Sequence, residues 1–165
     1  MSEIRDINLW ESGEKKILWV KQNMCLLRNL EERFKKEQTF KGKKIALSVH
    51  LEAKTAYLCK VLAAGGAEMY VTGSNPLSTQ DDVAASLVHD GLNVFAWHGA
   101  TEEEYFRHID EVIKVGPDII IDDGGAQLFQ FVDNAADQPF VAGNGGGGDD
   151  NEIVGGNVDG AMVGI

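Results

Sequence analysis

Four short apolar runs alternate with amphipathic stretches between Lys44 and Ile121, and glycine closes each amphipathic stretch. Lys44 to Val49, Glu68 to Thr72, Asn93 to Trp97 and Asp118 to Ile121 read as buried strands. Leu51 to Ala64, Ser78 to His89 and Thr101 to Val115 read as helices. They end at Gly65-Gly66, Gly91 and Gly116-Pro117, and a glycine there suits a left-handed helix cap, because it carries no Cβ. This alternation leaves few folds open, since parallel strands need crossover connections and helical crossovers cover the faces of the sheet. The expected fold class is α/β, an open parallel sheet with flanking helices of the Rossmann-like or flavodoxin-like kind.

Ahead of this unit, Ile17, Val20, Met24, Leu27, Leu30 and Phe34 recur at spacings of three and four. The spacing predicts one long amphipathic helix over Trp10 to Gln38, with Ser12 as its N-cap and Gly42 after it. Behind the unit the composition changes: eight of the 19 glycines precede Gly124, eleven lie from Gly124 onward, and the last Lys or Arg is Lys114. Such a segment buries too little apolar surface to offset ~1–2 kcal/mol per residue of ordering entropy. The expected organisation is therefore an N-terminal helical segment (1–42), a partial α/β substrate-binding domain (43–128) and a disordered Gly/Asp-rich tail (129–165).

Charge and hydropathy narrow the partners. Fifteen Lys+Arg against 26 Asp+Glu give a net charge of −11, so a phosphate backbone meets repulsion and nucleic acid is not an expected partner. No apolar run approaches the ~20 residues that span a bilayer, and Met1 to Asn8 lacks the order of a secretory signal. A cytoplasmic location without membrane contact is expected. Cys25 and Cys59 form no metal or redox motif and are read as inert packing residues. His89, His98 and His108 lack metal-ligand spacing and are read as surface residues.

In open parallel sheets, ligands bind beyond the carboxyl ends of the strands. After the first run comes His50, an acid, a base or a polar contact in one reading and a loop histidine bonded to backbone in the other. Glu52 suits the helix start that follows, whereas Lys54 does not, which points either to an anionic ligand or to a local ion pair. Ser78 and Asp81 have capping-box-like spacing. Ser74, Asn75, Thr79 and Gln80 are left without a structural reason and become candidate ligand contacts. Asp122 and Asp123 end the last strand, followed by Gly124 and Gly125. Adjacent strand carboxylates point to opposite faces, so one Asp as a base or hydroxyl acceptor is preferred to a metal pair, with a plain turn as the alternative. Gly143, Gly145 and Gly148 have dinucleotide-loop spacing without the strand and helix that such a loop needs, and are set aside.

Ser48-Val49-His50-Leu51-Glu52-Ala53-Lys54-Thr55-Ala56, Gly73-Ser74-Asn75-Pro76-Leu77-Ser78-Thr79-Gln80-Asp81-Asp82 and Ile121-Asp122-Asp123-Gly124-Gly125 together resemble the amino-terminal substrate domain of the adenosylhomocysteinase family. Glu52 and Lys54 resemble its archaeal and thermophilic-bacterial branch, while Met24-Cys25 stands where the family usually has Met-Pro. The resemblance implies reversible, NAD-dependent hydrolysis of S-adenosyl-L-homocysteine to adenosine and L-homocysteine, in a homo-oligomer when the protein is intact. It implies His50 and Asp123 as catalytic, and Glu52, Lys54, Thr55, Ser74, Asn75, Ser78, Thr79, Gln80 and Asp122 as substrate-binding. No NAD-binding or metal residue is expected in this chain. After Gly125 the family's pattern is lost, and a shift of coding frame is the expected cause. One permitted back-translation of Gly146 to Glu152, read one base later, gives Gly-Glu-Glu-Thr-Thr-Thr, a family motif. Two functions follow as expectations: a family fragment inactive by itself, or a non-catalytic module binding adenosine or adenosylhomocysteine.

Overall fold

The computed structural model describes residues 2–124. The tail expected over 129–165 lies outside them, as does Gly125. The described chain runs β1 (Glu3–Ile4), a 3-10 turn (Ile7–Leu9), α1 (Trp10–Asn23), α2 (Cys25–Glu37), β2 (Lys44–Ser48), α3 (Ala53–Ala64), β3 (Glu68–Thr72), α4 (Asp81–His89), β4 (Asn93–Ala96), α5 (Glu102–Ile113) and β5 (Ile119–Asp122). All five strands are parallel, in the order β1-β4-β3-β2-β5. The expected α/β sheet is therefore present. β1, two residues long, was not legible in the sequence: Ser2 bridges it to β4 by accepting from the Val94 amide at 3.1 Å.

Side chains of each strand alternate between two covered faces, which is why the strands read as near-continuous apolar runs. Ile45, Leu47, Met69, Val71, Val94, Ala96 and Ile121 join Ala56, Val61, Leu62, Val83, Ala84 and Leu87 of α3 and α4 in the main core. Ala46, Phe95 and Ile120 face the other way, against Val112 of α5 and beside Tyr70. Ile17 and Val20 of α1 are buried in the main core, with Leu27, Leu30 and Phe34 of α2 packed against it.

The long N-terminal helical segment is interrupted at one residue. Met24 has φ −106° and ψ 76°, outside the helical region, yet its N–H still donates to the Val20 carbonyl at 2.9 Å. The break re-aims the apolar stripe, so that α1 packs on α4 and α3 while α2 packs on α3. Ser12 is not the N-cap, because α1 begins two residues earlier; its hydroxyl donates instead to Asp82 of α4 at 2.7 Å. The expected cap at Ser78 is also absent, since α4 starts at Asp81. A full capping box does form at Thr101 and Glu104. Gly66, Gly91 and Gly116 all have positive φ, in agreement with their expected role in ending helices.

Cys59 is fully buried, and burial pushes its thiol up to about 12, which keeps it inert as expected. Cys25 is exposed and so is not a packing residue. His108 departs from the surface reading as well: it is 1% exposed, edge-on to Trp97 at 4.2 Å. His108 shares a helix face with Tyr105 and Val112, three residues before and four after it, and is carried inward with that face.

Candidate active site

β2 sits between β3 and β5, with α3 and α4 on one face of the sheet and α5 on the other. From β2 the sheet grows through β3 and β4 to one side, and α5 then carries the chain across to β5 on the other side of β2; such a switch point opens a crevice beyond the carboxyl ends of the strands. His50 follows β2 there, and Asp122 and Asp123 end β5.

Two loops are stitched together at this end. The Ser74 amide donates to the Val49 carbonyl at 3.3 Å and the Gln80 amide to the Leu51 carbonyl at 3.0 Å, with Leu51 fully buried as the anchor. This brings His50 Nδ1 within 2.6 Å of the Ser78 hydroxyl. The pair is polar, with His50 exposed and Ser78 half-buried, and it is held by backbone on both sides. Within the second loop, Asn75 accepts from the Leu77 amide at 2.9 Å, and its carbonyl receives the Ser78 and Thr79 hydroxyls at 3.0 and 3.2 Å. Gly73 is required by close approach, since a Cβ there would lie 2.5 Å from Thr79 Oγ1.

The loop after β4 braces the second from outside. The His98 amide donates to Asp81 at 2.7 Å, and the Gly99 amide donates to the Pro76 carbonyl at 3.2 Å. His98 Nδ1 lies 3.2 Å from the Thr79 carbonyl. His98 is exposed, as expected, but it fixes the loop that presents Ser78.

On the β5 side, the Asp123 amide donates to the Ser48 carbonyl at 3.2 Å, and Asp122 accepts from the Gly124 amide at 2.9 Å. Asp122 stands in register with Ser48. Tyr105 of α5 joins this side, donating its hydroxyl to the Ser74 carbonyl at 3.1 Å. Burial raises its phenol pKa, and the carboxylates of Asp122 and Asp123 raise it further. Tyr105 was missed by sequence reasoning, because an aromatic on the buried stripe of a helix reads as core.

The remaining candidates divide. Lys54 pairs with Glu52 at 3.6 Å near the start of α3, the local ion pair that one reading allowed, and both side chains are substantially exposed. Thr55 is buried in the first turn of α3. Gln80 turns toward α1, where its carbonyl accepts from Lys16 at 2.9 Å. Thr79 is 3% exposed and its hydroxyl serves the loop itself. Ser74 Oγ is buried. His50 and Asp123 are thus the exposed polar side chains of the site, with Ser78 and Asp122 half-buried.

Among the described residues no cluster of three or more His, Cys, Asp or Glu could hold a metal. They do not fit a dinucleotide either. The turn from β2 into α3 is where a pyrophosphate would rest, but it carries Glu52 at the N-cap and no glycine. What the arrangement offers is an imidazole whose ring nitrogens can donate or accept, a hydroxyl fixed beside it, and carboxylates that accept from hydroxyl groups.

The sequence profile of the S-adenosyl-L-homocysteine hydrolase family matches residues 1–154. The S-inosyl-L-homocysteine hydrolase of Methanocaldococcus jannaschii is 54% identical over 129 residues, covering 78% of this chain and 31% of that protein. The adenosylhomocysteinase of Aquifex aeolicus is 49% identical over 123 residues, 74% of this chain and 29% of the relative. That of Sulfurisphaera tokodaii is 46% identical over 123 residues, 74% and 30% respectively. The chain thus spans about a third of the length of these curated relatives.

Proposed function

The chain belongs to the S-adenosyl-L-homocysteine hydrolase family, and from that premise we propose that its switch point binds the nucleoside part of S-adenosyl-L-homocysteine. The observation that carries this reading is the meeting of the loops after β2 and β3 at the His50–Ser78 pair, 2.6 Å apart, with the end of β5 bonded to the Ser48 carbonyl two residues before His50. His50 moves the proton at the reacting ribose, held at Nδ1 by Ser78. Asp123 accepts from a ribose hydroxyl or takes its proton, with Asp122 behind it. Glu52, Lys54 and Thr55 at the start of α3 line the nucleobase side, and Asn75, Thr79, Ser74 and Gln80 shape the loop that presents Ser78. The family's redox step uses NAD, which these residues do not cradle, so the chain by itself binds nucleoside and releases no homocysteine.

Titration calorimetry with adenosine, together with a thiol assay on S-adenosyl-L-homocysteine, tests this. Expected are measurable binding, loss of at least about tenfold in affinity for His50→Ala, a contact worth roughly 1.5 kcal/mol, and no thiol release. Absence of binding, or an unchanged His50→Ala variant, overturns the site; thiol release by the chain overturns its inactivity.

A second reading concerns the base. The relative at 54% identity is an S-inosyl-L-homocysteine hydrolase, and Lys54 and Glu52 stand together near the start of α3. A lysine ammonium only donates, so it suits the hypoxanthine carbonyl oxygen, whereas the adenine amino group donates and suits Glu52. Inosine binding more tightly than adenosine, with Lys54→Met reversing the order, selects the inosyl substrate.

A further inference from the structure

Among the described residues, four buried side-chain polar atoms have no hydrogen-bond partner: Oγ of Ser48, Oγ1 of Thr72, Oγ of Ser74 and Nε2 of His108. All four belong to the layer between the sheet and α5. Ser48 and Thr72 are register neighbours at the carboxyl ends of β2 and β3. Alternation along the strands places them on the face of Ala46 and Tyr70, the α5 side. Ser74 follows Thr72 by two residues, and its carbonyl accepts from Tyr105 in the first turn of α5. His108 lies one turn further along the same helix, 1% exposed.

On the opposite face the same strands carry Ile45, Leu47, Met69 and Val71 into the larger hydrophobic core. Orphaned polar atoms are few in native interiors, and several in one layer need a common explanation. In a helix a Ser or Thr hydroxyl can turn back to the carbonyl four residues earlier, but an extended strand offers no such acceptor.

We propose that Ser48, Thr72 and Ser74 hold an internal water beneath the first turn of α5. Water both donates and accepts, so it can satisfy hydroxyl oxygens and hydroxyl protons together, whereas a cation satisfies only the oxygens. The switch point is then backed on its α5 side by a hydrated floor, with Asp122 beside Ser48 in register. The inference rests on packing and holds whatever ligand the crevice takes.

Thr72→Val tests it, because the variant keeps the shape and removes the hydroxyl. If the hydroxyl were unpaired, its removal would stabilise the protein; if it holds water, removal strands a bonded neighbour. Urea unfolding of the full chain is expected to show the folding equilibrium constant about fivefold lower for Thr72→Val and for Ser48→Ala, with the double variant less than additive. Greater or unchanged stability of Thr72→Val overturns the proposal, as does stability that rises with added potassium at constant ionic strength. Should either variant fail to fold, water–amide cross-relaxation in the wild-type chain decides: signals at Thr72 to Ser74 are expected, and their absence overturns the site.

Discussion

A Cβ at Gly13 would lie 1.9 Å from the Asp82 carbonyl oxygen, so α1 reaches the first turn of α4 only where a side chain is missing. Gly to Ala inside a helix normally stabilises by about 1 kcal/mol. Here overlap with backbone reverses the sign, and Gly13→Ala is expected to destabilise by about 3 kcal/mol, read as a lower urea midpoint; an unchanged midpoint would show that α1 is not docked as described. His108 makes a second prediction at this scale. Burial, the largest effect, holds its imidazole pKa below the ordinary value and is reinforced by Arg107, while Glu3 and Glu104 pull the other way. A depressed pKa means the unfolded chain takes up the proton first. The contribution of His108 is therefore fully present above the unfolded pKa near ~6.5 and is lost as pH falls from there through the lower folded value. Unfolding midpoints measured across that window should fall less steeply for His108→Gln than for the wild type, and parallel slopes would count against this account.

Among the elements, α1 and α2 show what one residue decides. Met24 has left helical space, and Cys25 opens α2 at the position where a missing N–H costs nothing and a fixed φ helps. The residue before a proline avoids the helical region, which Met24 already does. Cys25→Pro is therefore expected to stabilise the chain by about 0.5 kcal/mol, and a lower melting temperature for this variant would mean that the break is not pre-formed. The stops of α3, α4 and α5 were legible because glycine marks them, whereas α1 stops at Met24 and α2 at Gln38. The starts were less so: Ser12 and Ser78 both resemble caps, yet Ser12 bonds to Asp82 and Ser78 to His50. A serine's local spacing is the same whether its hydroxyl serves its own helix or a neighbouring element.

Over the whole molecule the two faces of the sheet differ. α3 and α4 bury Ala56, Val61, Leu62, Val83, Ala84 and Leu87 in the larger core, while α5 faces a smaller one around Ala46, Phe95, Val112 and Ile120. Opening free energies follow such differences in buried apolar contact. Hydrogen exchange should therefore release the α5 amides before those of α3, β2 and β3. The reverse order would place the weak layer elsewhere. Because Tyr105 ties α5 to Ser74, opening of α5 also loosens the β3 loop that presents Ser78 to His50.

Local pattern by itself determined β2 to β5, the ends of α3, α4 and α5 and the set of polar strand-end loops, since burial on both faces forces continuous apolar runs and left-handed caps favour glycine. The motifs around His50, Ser78 and Asp123 were enough to indicate the family. Only the tertiary structure decided which candidates meet. It gave Gln80 to Lys16 and Thr79 to its own loop, brought in Tyr105 and His98, and carried His108 inward. Strand order is the physical reason: β2 lies between β3 and β5, so segments distant along the chain, from residues 50, 78 and 123, share one edge of the sheet. That adjacency is a property of hydrogen-bonded register between strands, and no local spacing encodes it.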